Sequence, residues 1–316
     1  MIFDDILNKI EEYDSIALFH HEHPDCDAYG SSFGLGNWIK DNYPNKKVLY
    51  VGTEEINQGK WPHLDEVSDE DIKNSLVIVT DTSDTRRIDD KRFSLGQYLI
   101  KIDHHPNLEP YGDLVYVDED AAASCEIITC FIRYFENKVV TKDTAEYLYK
   151  GLLTDTLQYR TSSTTSKTLD AGQYLANFGI DIPEINRELF DISIKIYEFL
   201  TKLRSRVVYN NKGLAYVILD ENELKMLEIS PNKARDHVDV MGNVKEFEIW
   251  ALFTEVDGKF KGSLRSKHVT VNTIANKYNG GGHKNASGVS NLSRSEVDSI
   301  IDDLAVAASD YIETKN

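Results

Sequence analysis

One stretch near the start of the chain decides how the rest is read: Phe19-His20-His21-Glu22-His23-Pro24-Asp25-Cys26-Asp27-Ala28-Tyr29-Gly30-Ser31. It follows an apolar run over residues 16–19 that is typical of a short buried strand, and it precedes a predicted helix over residues 31–42. In an α/β sheet, the loop after the carboxyl end of a strand is where ligands bind. This loop carries three histidines and two aspartates within eight residues, and such donors suit a divalent cation. The stretch therefore predicts an α/β domain with a metal site at the edge of its sheet.

The alternation of apolar runs and helical segments continues to about residue 182. Strands are predicted over residues 15–20, 47–51, 76–81, 98–104 and 114–117, and further helices over residues 124–136 and 143–153 and after Thr164. This alternation is the signature of βαβ units and a mostly parallel sheet. We predict an N-terminal α/β domain over residues 1–182.

The second half of the chain has a different pattern. Apolar residues at helical spacing over residues 183–209 predict one continuous helix, and we take residues 183–210 as a helical connector. Strands over 214–219, 247–255 and 260–264, with a hairpin turn at Asp257-Gly258, and helices over 271–278 and 293–311 predict a smaller α/β domain over residues 211–316. Because the two domains look unlike each other, we expect them to supply different parts of one site.

Composition excludes several classes of protein. With 316 residues, 41% of them hydrophobic and 28% charged, the chain has enough apolar material for two cores. The longest apolar runs are far shorter than the roughly 20 residues that cross a bilayer, and the start Met1-Ile2-Phe3-Asp4-Asp5 lacks the basic residues expected of a signal peptide. We therefore expect a cytoplasmic protein with no membrane partner and three reduced cysteines. A net charge of −18 argues against a protein that grips long nucleic acid by its phosphates.

Several more metal donors follow predicted strands and helices. Asp81 ends the strand predicted over 76–81, His104 ends the strand predicted over 98–104, and Asp155 follows a helical segment. Combined with the first loop, the candidate set is His21, Asp25, Asp27, Asp81, His104 and Asp155. Four carboxylates and two imidazoles can hold two divalent metals roughly 3.5–4 Å apart with one carboxylate bridging. Without cations the carboxylates would repel one another. The set predicts metal-assisted hydrolysis of a phosphoester by a metal-activated water.

Five motifs, in this order along the chain, resemble those of the DHH phosphoesterase superfamily. They are His21-x-x-Pro24-Asp25-x-Asp27, Asp81-Thr82, Asp103-His104-His105, Gly151-x-x-x-Asp155-Thr156 and Gly280-Gly281-Gly282-His283-x-x-Ala286-Ser287-Gly288. The fifth, preceded by residues 263–267 (Ser-Leu-Arg-Ser-Lys), is similar to the associated C-terminal domain called DHHA1. The resemblance covers nearly the whole chain and implies a DHH domain followed by a DHHA1 domain.

The resemblance also implies roles for individual residues. One metal would be bound by His21, Asp25 and Asp81, and the other by Asp27, Asp81, His104 and Asp155, so that Asp81 bridges. Asp81 and His105 would be the catalytic residues, with His105 facing the substrate phosphate and Asp103 supporting the loop. Two divalent ions are implied, with manganese as the expected metal.

A local basic segment stands out in the second half of this acidic chain: Lys259, Lys261, Arg265, Lys267 and His268. The glycines over residues 280–282 would let backbone N–H groups approach an anion closely. With the DHHA1 resemblance, the expected substrate-binding residues are Arg265, Lys267, Gly281, Gly282 and His283, in addition to His105.

The compact arrangement of one DHH domain, one connector and one DHHA1 domain resembles the nanoRNase and pAp-phosphatase branch of the superfamily. This implies hydrolysis of short single-stranded RNA oligonucleotides to mononucleotides and removal of the 3'-phosphate of adenosine 3',5'-bisphosphate (pAp). Long duplexes are not expected as partners, and a homodimer is a common assembly for such enzymes. Two alternatives stay open: a soluble phosphodiesterase of cyclic di-AMP or linear pApA, and a nucleotide-binding regulator without catalysis. The Gly280–His283 segment counts against a family II pyrophosphatase.

Overall fold

The computed structural model describes residues 2–53, 56, 58–107 and 109–315. The chain divides into two compact units, Met1–Asp191 and Ile192–Asn316. No helix in the described part of the chain is both long and apolar enough to span a membrane.

The first unit is a five-stranded sheet with helices. Its strands are β1 Ser15–Phe19, β2 Lys47–Val51, β3 Leu76–Thr80, β4 Tyr98–Asp103 and β5 Leu114–Val117. Its helices are α1 Ile2–Glu12, α2 Cys26–Asn42, α3 Asp69–Lys73, α4 Ser124–Tyr134, α5 Lys142–Asp155, α6 Ser166–Ala176 and α7 Ile182–Phe190, with short 3₁₀ helices at Thr85–Arg87 and Lys91–Leu95.

The strand order of this sheet positions the site. The order is β2-β1-β3-β4-β5, and all neighbouring strands are parallel. The strand order reverses between β1 and β3, and in such sheets the crevice outside the carboxyl ends of the strands at this switch point is where ligands bind. His21 follows β1 and Asp81 follows β3, so both lie at the switch point.

The central strands are buried on both faces of the sheet. Leu18 and Ile78 belong to the cluster that includes residues of α2, α4 and α5, whereas Phe19 and Val79 belong to a second, smaller cluster. A strand covered on both faces reads as a continuous apolar run rather than an alternating one. This is why β1 and β3 could be predicted from the sequence.

Two glycines let α2 and α5 approach each other closely. A Cβ atom on Gly30 would lie 2.6 Å from the carbonyl oxygen of Tyr147, and one on Gly151 would lie 2.9 Å from the Cα of Asp27. Contacts this short exclude any side chain at either position unless the helices separate. Gly151 therefore brings the end of α5, where Asp155 lies, next to Asp27.

The second unit is a six-stranded mixed sheet. Its strands are β6 Val208–Tyr209, β7 Leu214–Leu219, β8 Ile249–Val256, β9 Lys259–Ser266, β10 Gly281–His283 and β11 Ala286–Leu292. Its helices are α8 Ile194–Arg204, α9 Glu221–Met226, α10 Pro231–Arg235, α11 Asn272–Lys277 and α12 Arg294–Lys315, with a 3₁₀ helix at Val238–Met241. The strand order is β10-β11-β9-β8-β7-β6, in which only the pair β7–β8 is parallel among the described strands.

The structure confirms the predicted fold class, an α/β protein with a mostly parallel first sheet followed by a smaller α/β part. The prediction of one continuous helix over residues 183–209 is wrong. Helix α7 ends at Phe190, Asp191 is extended with φ −67° and ψ 134°, and Ser193 caps a new helix by accepting a hydrogen bond from the Ile196 amide. A serine that offers its oxygen to the backbone in this way favours a helix start over a helix interior.

A further prediction differs from the structure. Helix α2 begins at Cys26, five residues before the predicted start at Ser31, because Asp25 caps it. The glycines of the fifth motif lie at and just before strand β10, since Gly281–His283 pair with β11.

Candidate metal centre

The two aspartates of the first motif are each fixed by a helix terminus. The Asp25 carboxylate caps α2, accepting hydrogen bonds from the amides of Asp27 at 2.9 Å and Ala28 at 3.0 Å. Asp27 lies in the first turn of α2 and is fully buried. Helix N-termini favour carboxylates because their first N–H groups lack partners within the helix.

Asp27 reaches a different helix. Its carboxylate accepts hydrogen bonds from the amides of Ser124 at 2.6 Å and Cys125 at 2.9 Å, which are the first residues of α4. The residue at the N-cap position of α4, Ala123, offers no side-chain hydrogen bond. Asp27 therefore supplies the cap that α4 lacks, and this holds the carboxylate in one orientation.

Asp81 lies between two histidines. Its Oδ2 atom is 3.4 Å from Nε2 of His21, and its Oδ1 atom is 3.4 Å from Nε2 of His104. The residue has a left-handed backbone with φ 54°, a conformation that costs free energy for most residues and that often marks functional sites. Each carboxylate oxygen of Asp81 thus faces a separate set of donors.

Three groups of donors meet around Asp81. They are His21 with Asp25 and Asp81; Asp27 with His104 and Asp155; and Asp81 with His104 and His105. Within each group the ligand atoms lie within 4.8 Å of one another. The structure thus brings together all six residues that the sequence singled out as metal ligands.

Both flanking histidines have their other ring nitrogen occupied by a carbonyl. Nδ1 of His21 is 2.8 Å from the carbonyl oxygen of Glu22, and Nδ1 of His104 is 3.3 Å from that of Ala121. Because a carbonyl only accepts, Nδ1 must carry the proton in each contact. Nε2 is then the nitrogen that each ring presents to the carboxylates, as in metal-binding histidines.

Burial and neighbouring charges shift the pKa values of several groups in the site. Burial opposes the charge of Asp81, but hydrogen bonds from His104 and His21 hold the pKa of its carboxyl well below its usual value. Burial also opposes the charge of His21, yet Asp25 and Asp81 raise the pKa of its imidazole to about 11. In the same way Asp81 outweighs burial at His104 and raises the pKa of that imidazole to about 10.

The remaining buried carboxyls shift in the opposite direction. Burial, and then the charge of Asp81, raise the pKa of Asp27 to about 7. Burial and the charge of Asp27 raise the pKa of Asp155 well above its usual value. In the described part of the chain, no lysine or arginine forms an ion pair with these carboxylates or with Asp25; their ion-pair partners are histidines. A divalent cation fits this donor set, because it would offset the repulsion between the carboxylates and replace the protons on the ligand atoms.

His105 and Asp103 occupy the same loop. Nδ1 of His105 is 2.9 Å from Oδ1 of Asp103 and 3.6 Å from Oδ1 of Asp81. The Asp103 side chain is fully buried, and its Oδ1 also accepts hydrogen bonds from the amides of His104 and His105. Asp103 thus anchors the ring of His105.

Sequence reasoning missed Ser124. Its hydroxyl donates to Oδ1 of Asp81 at 3.1 Å, while its amide donates to Asp27. The sequence did predict a helix beginning at Ser124, but no local pattern indicates which carboxylates that helix start would meet.

The second unit places three of the predicted substrate-binding residues on one face. Arg265 pairs with Ala286, which pairs with His283; Ser263 pairs with Gly288, which pairs with Gly281. Cross-strand partners in an antiparallel sheet project to the same side. We call this surface the β9–β11–β10 face, defined by Ser263, Arg265, Gly281, His283, Ala286 and Gly288.

The other two predicted residues are placed differently. Gly282 pairs with Ser287 and so belongs to the opposite side of the sheet from the β9–β11–β10 face. Its carbonyl accepts a hydrogen bond from the side chain of Asn272. The ammonium of Lys267 donates to the carbonyl oxygens of Val244 at 2.6 Å and Lys245 at 3.2 Å.

Both halves of the chain match known domains. Residues 15–152 match the N-terminal domain of the DHH family, and residues 211–310 match the DHHA1 domain. The chain belongs to the DHH family, with a DHHA1 domain in its second half.

Two relatives indicate the branch of the DHH family to which the chain is similar. The chain is 37% identical over 304 residues to the probable bifunctional oligoribonuclease and PAP phosphatase NrnA of Streptococcus mutans, covering 96% of this chain and 97% of that one. It is 35% identical over 311 residues to the bifunctional oligoribonuclease and PAP phosphatase NrnA of Bacillus subtilis, covering 97% of this chain and 99% of that one. The resemblance to this branch of the DHH family is thus confirmed over nearly the full length of both relatives.

A solved structure supports the fold. The crystal structure of an exopolyphosphatase-related protein from Bacteroides fragilis matches with a TM-score of 0.84 and 22% identity, covering 99% of this chain and 97% of that one.

Proposed function

We propose that this chain hydrolyses short RNA oligonucleotides to mononucleotides and removes the 3'-phosphate of pAp. It is a hydrolase of phosphoester bonds, as the DHH family and its bifunctional relatives indicate. The observation that carries the proposal is Asp81, whose two oxygens face two separate donor groups. A shared carboxylate of this kind is what a pair of metals acting on one phosphoryl group requires.

The proposal includes two divalent ions, with Mn²⁺ as the expected metal. One would be held by His21, Asp25 and Asp81, and the other by Asp27, Asp81, His104 and Asp155. When bound, such ions supply a water of lowered pKa and neutralise charge on the phosphoryl group.

The chain's own residues hold this arrangement in place. Asp81 is fixed by the Ser124 hydroxyl, and Asp27 by two amides of α4, so the carboxylates need no rearrangement when substrate arrives. With Nδ1 of His105 held by Asp103, any proton that His105 gives to the leaving oxygen comes from Nε2. We assign Asp81 and His105 as the catalytic residues on these grounds.

The DHHA1 domain is proposed to bind the rest of the substrate. Arg265, Gly281 and His283 share the β9–β11–β10 face, where small residues leave room for a backbone phosphate and Arg265 can bind it bidentately. Lys267 and Gly282 belong to the same proposal, with Lys267 giving up its carbonyl partners when an anion is bound. The net charge of −18 offers no extended basic surface for a long nucleic acid, which favours a short oligonucleotide as substrate.

The test is a comparison of four substrates with Mn²⁺: a 5-mer RNA, pApA, pAp and pyrophosphate. Stepwise release of mononucleotides from the RNA together with phosphate from pAp is the expected result. Turnover of pApA or pyrophosphate alone would retain the metal chemistry and reject the substrate assignment. Nucleotide binding without any turnover would point to a regulator instead.

Two further parts of the proposal concern the cell and the assembly. We propose action in the cytoplasm, which the absence of disulfides among the three cysteines supports. We also propose a homodimer, and light scattering after size-exclusion chromatography tests it.

A further inference from the structure

A lysine is fully buried beneath the metal centre. Lys101, on β4, has no exposed side-chain surface. Its ammonium donates to the carbonyl oxygen of Ser83 at 2.8 Å and to Oδ1 of Asn107 at 3.3 Å, and it lies 3.3 Å from Oδ2 of Asp103. It is also 4.7 Å from the ring centre of Tyr111. Lys101 thus joins the loops that follow β3 and β4.

Stability alone does not explain this lysine. Its register partners on the neighbouring strands are Val79 and Val115, so the strand environment suits an apolar residue. Burying a lysine and an aspartate together costs desolvation energy that their attraction often fails to recover, and apolar replacements of such pairs are often neutral or stabilising. A buried ion pair in this position therefore calls for a role beyond holding the strand.

The two oxygens of Asp103 divide their contacts between Lys101 and the catalytic loop. Oδ2 faces the Lys101 ammonium, and among the described residues it accepts no well-formed hydrogen bond. Oδ1 accepts hydrogen bonds from the amides of His104 at 2.9 Å and His105 at 3.2 Å and contacts Nδ1 of His105 at 2.9 Å. Among the described residues, Lys101 is thus the cation that faces the oxygen of Asp103 not bound to His105.

The alternative position for the His105 ring lies close by. Nδ1 of His105 is 3.6 Å from Oδ1 of Asp81, compared with 2.9 Å from Oδ1 of Asp103. If the Asp103 carboxylate turned, the ring could move to Asp81, the carboxylate that both donor groups share. Such a move would turn Nε2 of His105 away from the leaving oxygen.

We propose that Lys101 is a positioning residue for His105 that acts through the carboxylate of Asp103. The inference rests on the proposed function and deepens it, because it identifies a residue that keeps His105 aimed at the leaving oxygen. Supporting residues that orient a catalytic or ligating group in this way change activity by about 10- to 100-fold when removed.

The chain offers a matched control. Lys150 is also almost fully buried, at 1% side-chain exposure, and its ammonium lies 2.7 Å from Oε1 of Glu188 and 3.2 Å from Oε1 of Glu146. Lys150→Met removes a buried ammonium from the same domain without touching Asp103 or His105. We expect both Lys101→Met and Lys150→Met to change the melting temperature. Only Lys101→Met should lower kcat on an RNA dinucleotide, by about 10- to 100-fold, with KM and Mn²⁺ affinity near those of the wild type.

A double-mutant cycle separates positioning from general damage. In a His105→Ala background, Lys101→Met should cause no further loss of kcat, because its effect passes through His105. Equal losses of kcat in the two lysine variants, or a full additional loss in the His105→Ala background, would overturn the proposal. Should Lys101→Met fail to fold, Lys101→Met/Asp103→Asn removes both buried charges together. The double variant should have a kcat no lower than that of Asp103→Asn alone. A lower kcat in the double variant would also contradict the proposal.

A measurement without turnover distinguishes this inference from the proposed function. In protein with ¹⁵N-labelled histidine and bound Mg²⁺, the His105 ring signals, assigned by their loss in His105→Ala, should show a proton on Nδ1. Lys101→Met should shift these signals and Lys150→Met should not. If the wild type hydrolyses none of the substrates while this shift is seen, the proposed function is wrong and the positioning contact stands. If the wild type is active and the signals stay unchanged in Lys101→Met, the inference alone is wrong.

Discussion

The metal centre and the β9–β11–β10 face are built in opposite ways. At the metal centre, Asp27, Asp81 and Asp103 are buried, and each is held by hydrogen bonds from a segment distant in the sequence or by its own loop. On the β9–β11–β10 face, Gly281 and His283 are exposed, and Arg265 is half-buried near Asp239. The difference teaches that the proposed metal ligands are held in place by the folded chain, whereas the groups proposed to bind a phosphate lie on an exposed strand surface.

The largest effect is expected from the shared carboxylate. Asparagine has the size of aspartate and also adopts the left-handed backbone conformation found at position 81. Asp81→Asn therefore removes only the charge that the two donor groups share. Hydrolysis of RNA and pAp should fall by far more than the roughly 100-fold typical of a supporting residue. Asp113→Asn, at the opposite end of the sheet just before β5, serves as the control and should retain activity. Near-normal turnover in Asp81→Asn, measured by initial rates with Mn²⁺, would rule out a bridging role.

Metal binding at the buried centre should depend strongly on pH. At neutral pH the imidazoles of His21 and His104 hold protons, because neighbouring carboxylates raise their pKa values to about 11 and about 10. A metal ligand must be neutral imidazole, so binding releases these protons and affinity rises with pH, by about tenfold per pH unit for each proton displaced.

Titration calorimetry at several pH values, in buffers of different ionisation enthalpy, measures this release. His21→Gln should reduce the number of protons released by about one. A metal affinity that does not change with pH would show that the imidazoles are not ligands.

The exposed face should show a smaller and different response. Arg265→Ala should raise KM for a dinucleotide by about tenfold while leaving kcat similar, because one charge-assisted contact to phosphate is lost. Lys259→Ala, on the same strand and exposed, should leave KM unchanged. Lys267→Ala is expected to have a weaker effect than Arg265→Ala, since the ammonium already contacts two carbonyls. Steady-state kinetics of the three variants measure these effects. An unaltered KM in Arg265→Ala would contradict the assignment of Arg265 as a phosphate-binding residue.

A pair of glycine substitutions sharpens the comparison through stability alone. Gly151→Ala places a Cβ 2.9 Å from the Cα of Asp27, and such overpacking should cost about 1–3 kcal/mol. Gly281→Ala meets nothing within 4 Å and should leave the melting temperature unchanged. Thermal unfolding of both variants tests whether the metal centre is packed more tightly than the β9–β11–β10 face. Equal melting temperatures would argue against it.

The sequence predicted the parts of this architecture that depend on local patterns. Strands β1, β3 and β4 are apolar runs followed by acidic or histidine residues, so both the sheet and the donors at its edge could be inferred. The helical spacing of apolar residues continues through Asp191 and Ser193. The end of α7 and the start of α8 could therefore not be inferred from the sequence. The start of α2 was misplaced because Asp25 was interpreted as a loop donor, although it is also a helix cap.

Contacts between distant segments account for what sequence reasoning missed. Ser124 meets Asp81 across 43 positions of the chain, and nothing in its neighbourhood in the sequence indicates that partner. The sequence indicated only that Lys101 belongs to a strand. The positioning role proposed for it depends on contacts with the Ser83 carbonyl and Asn107, which only the folded chain brings together. Burial of a charged side chain is a property of the folded chain, so it became informative only in the structure.

The cap on α4 has a consequence for how the domain assembles. Its first two amides are satisfied by Asp27, a residue 97 and 98 positions earlier in the chain, and not by a neighbour. The first turn of α4 therefore gains its side-chain cap only when α2 docks, and until then water must satisfy these amides. Deuterium exchange at the Ser124 and Cys125 amides during refolding would report the moment at which the catalytic edge of the sheet closes.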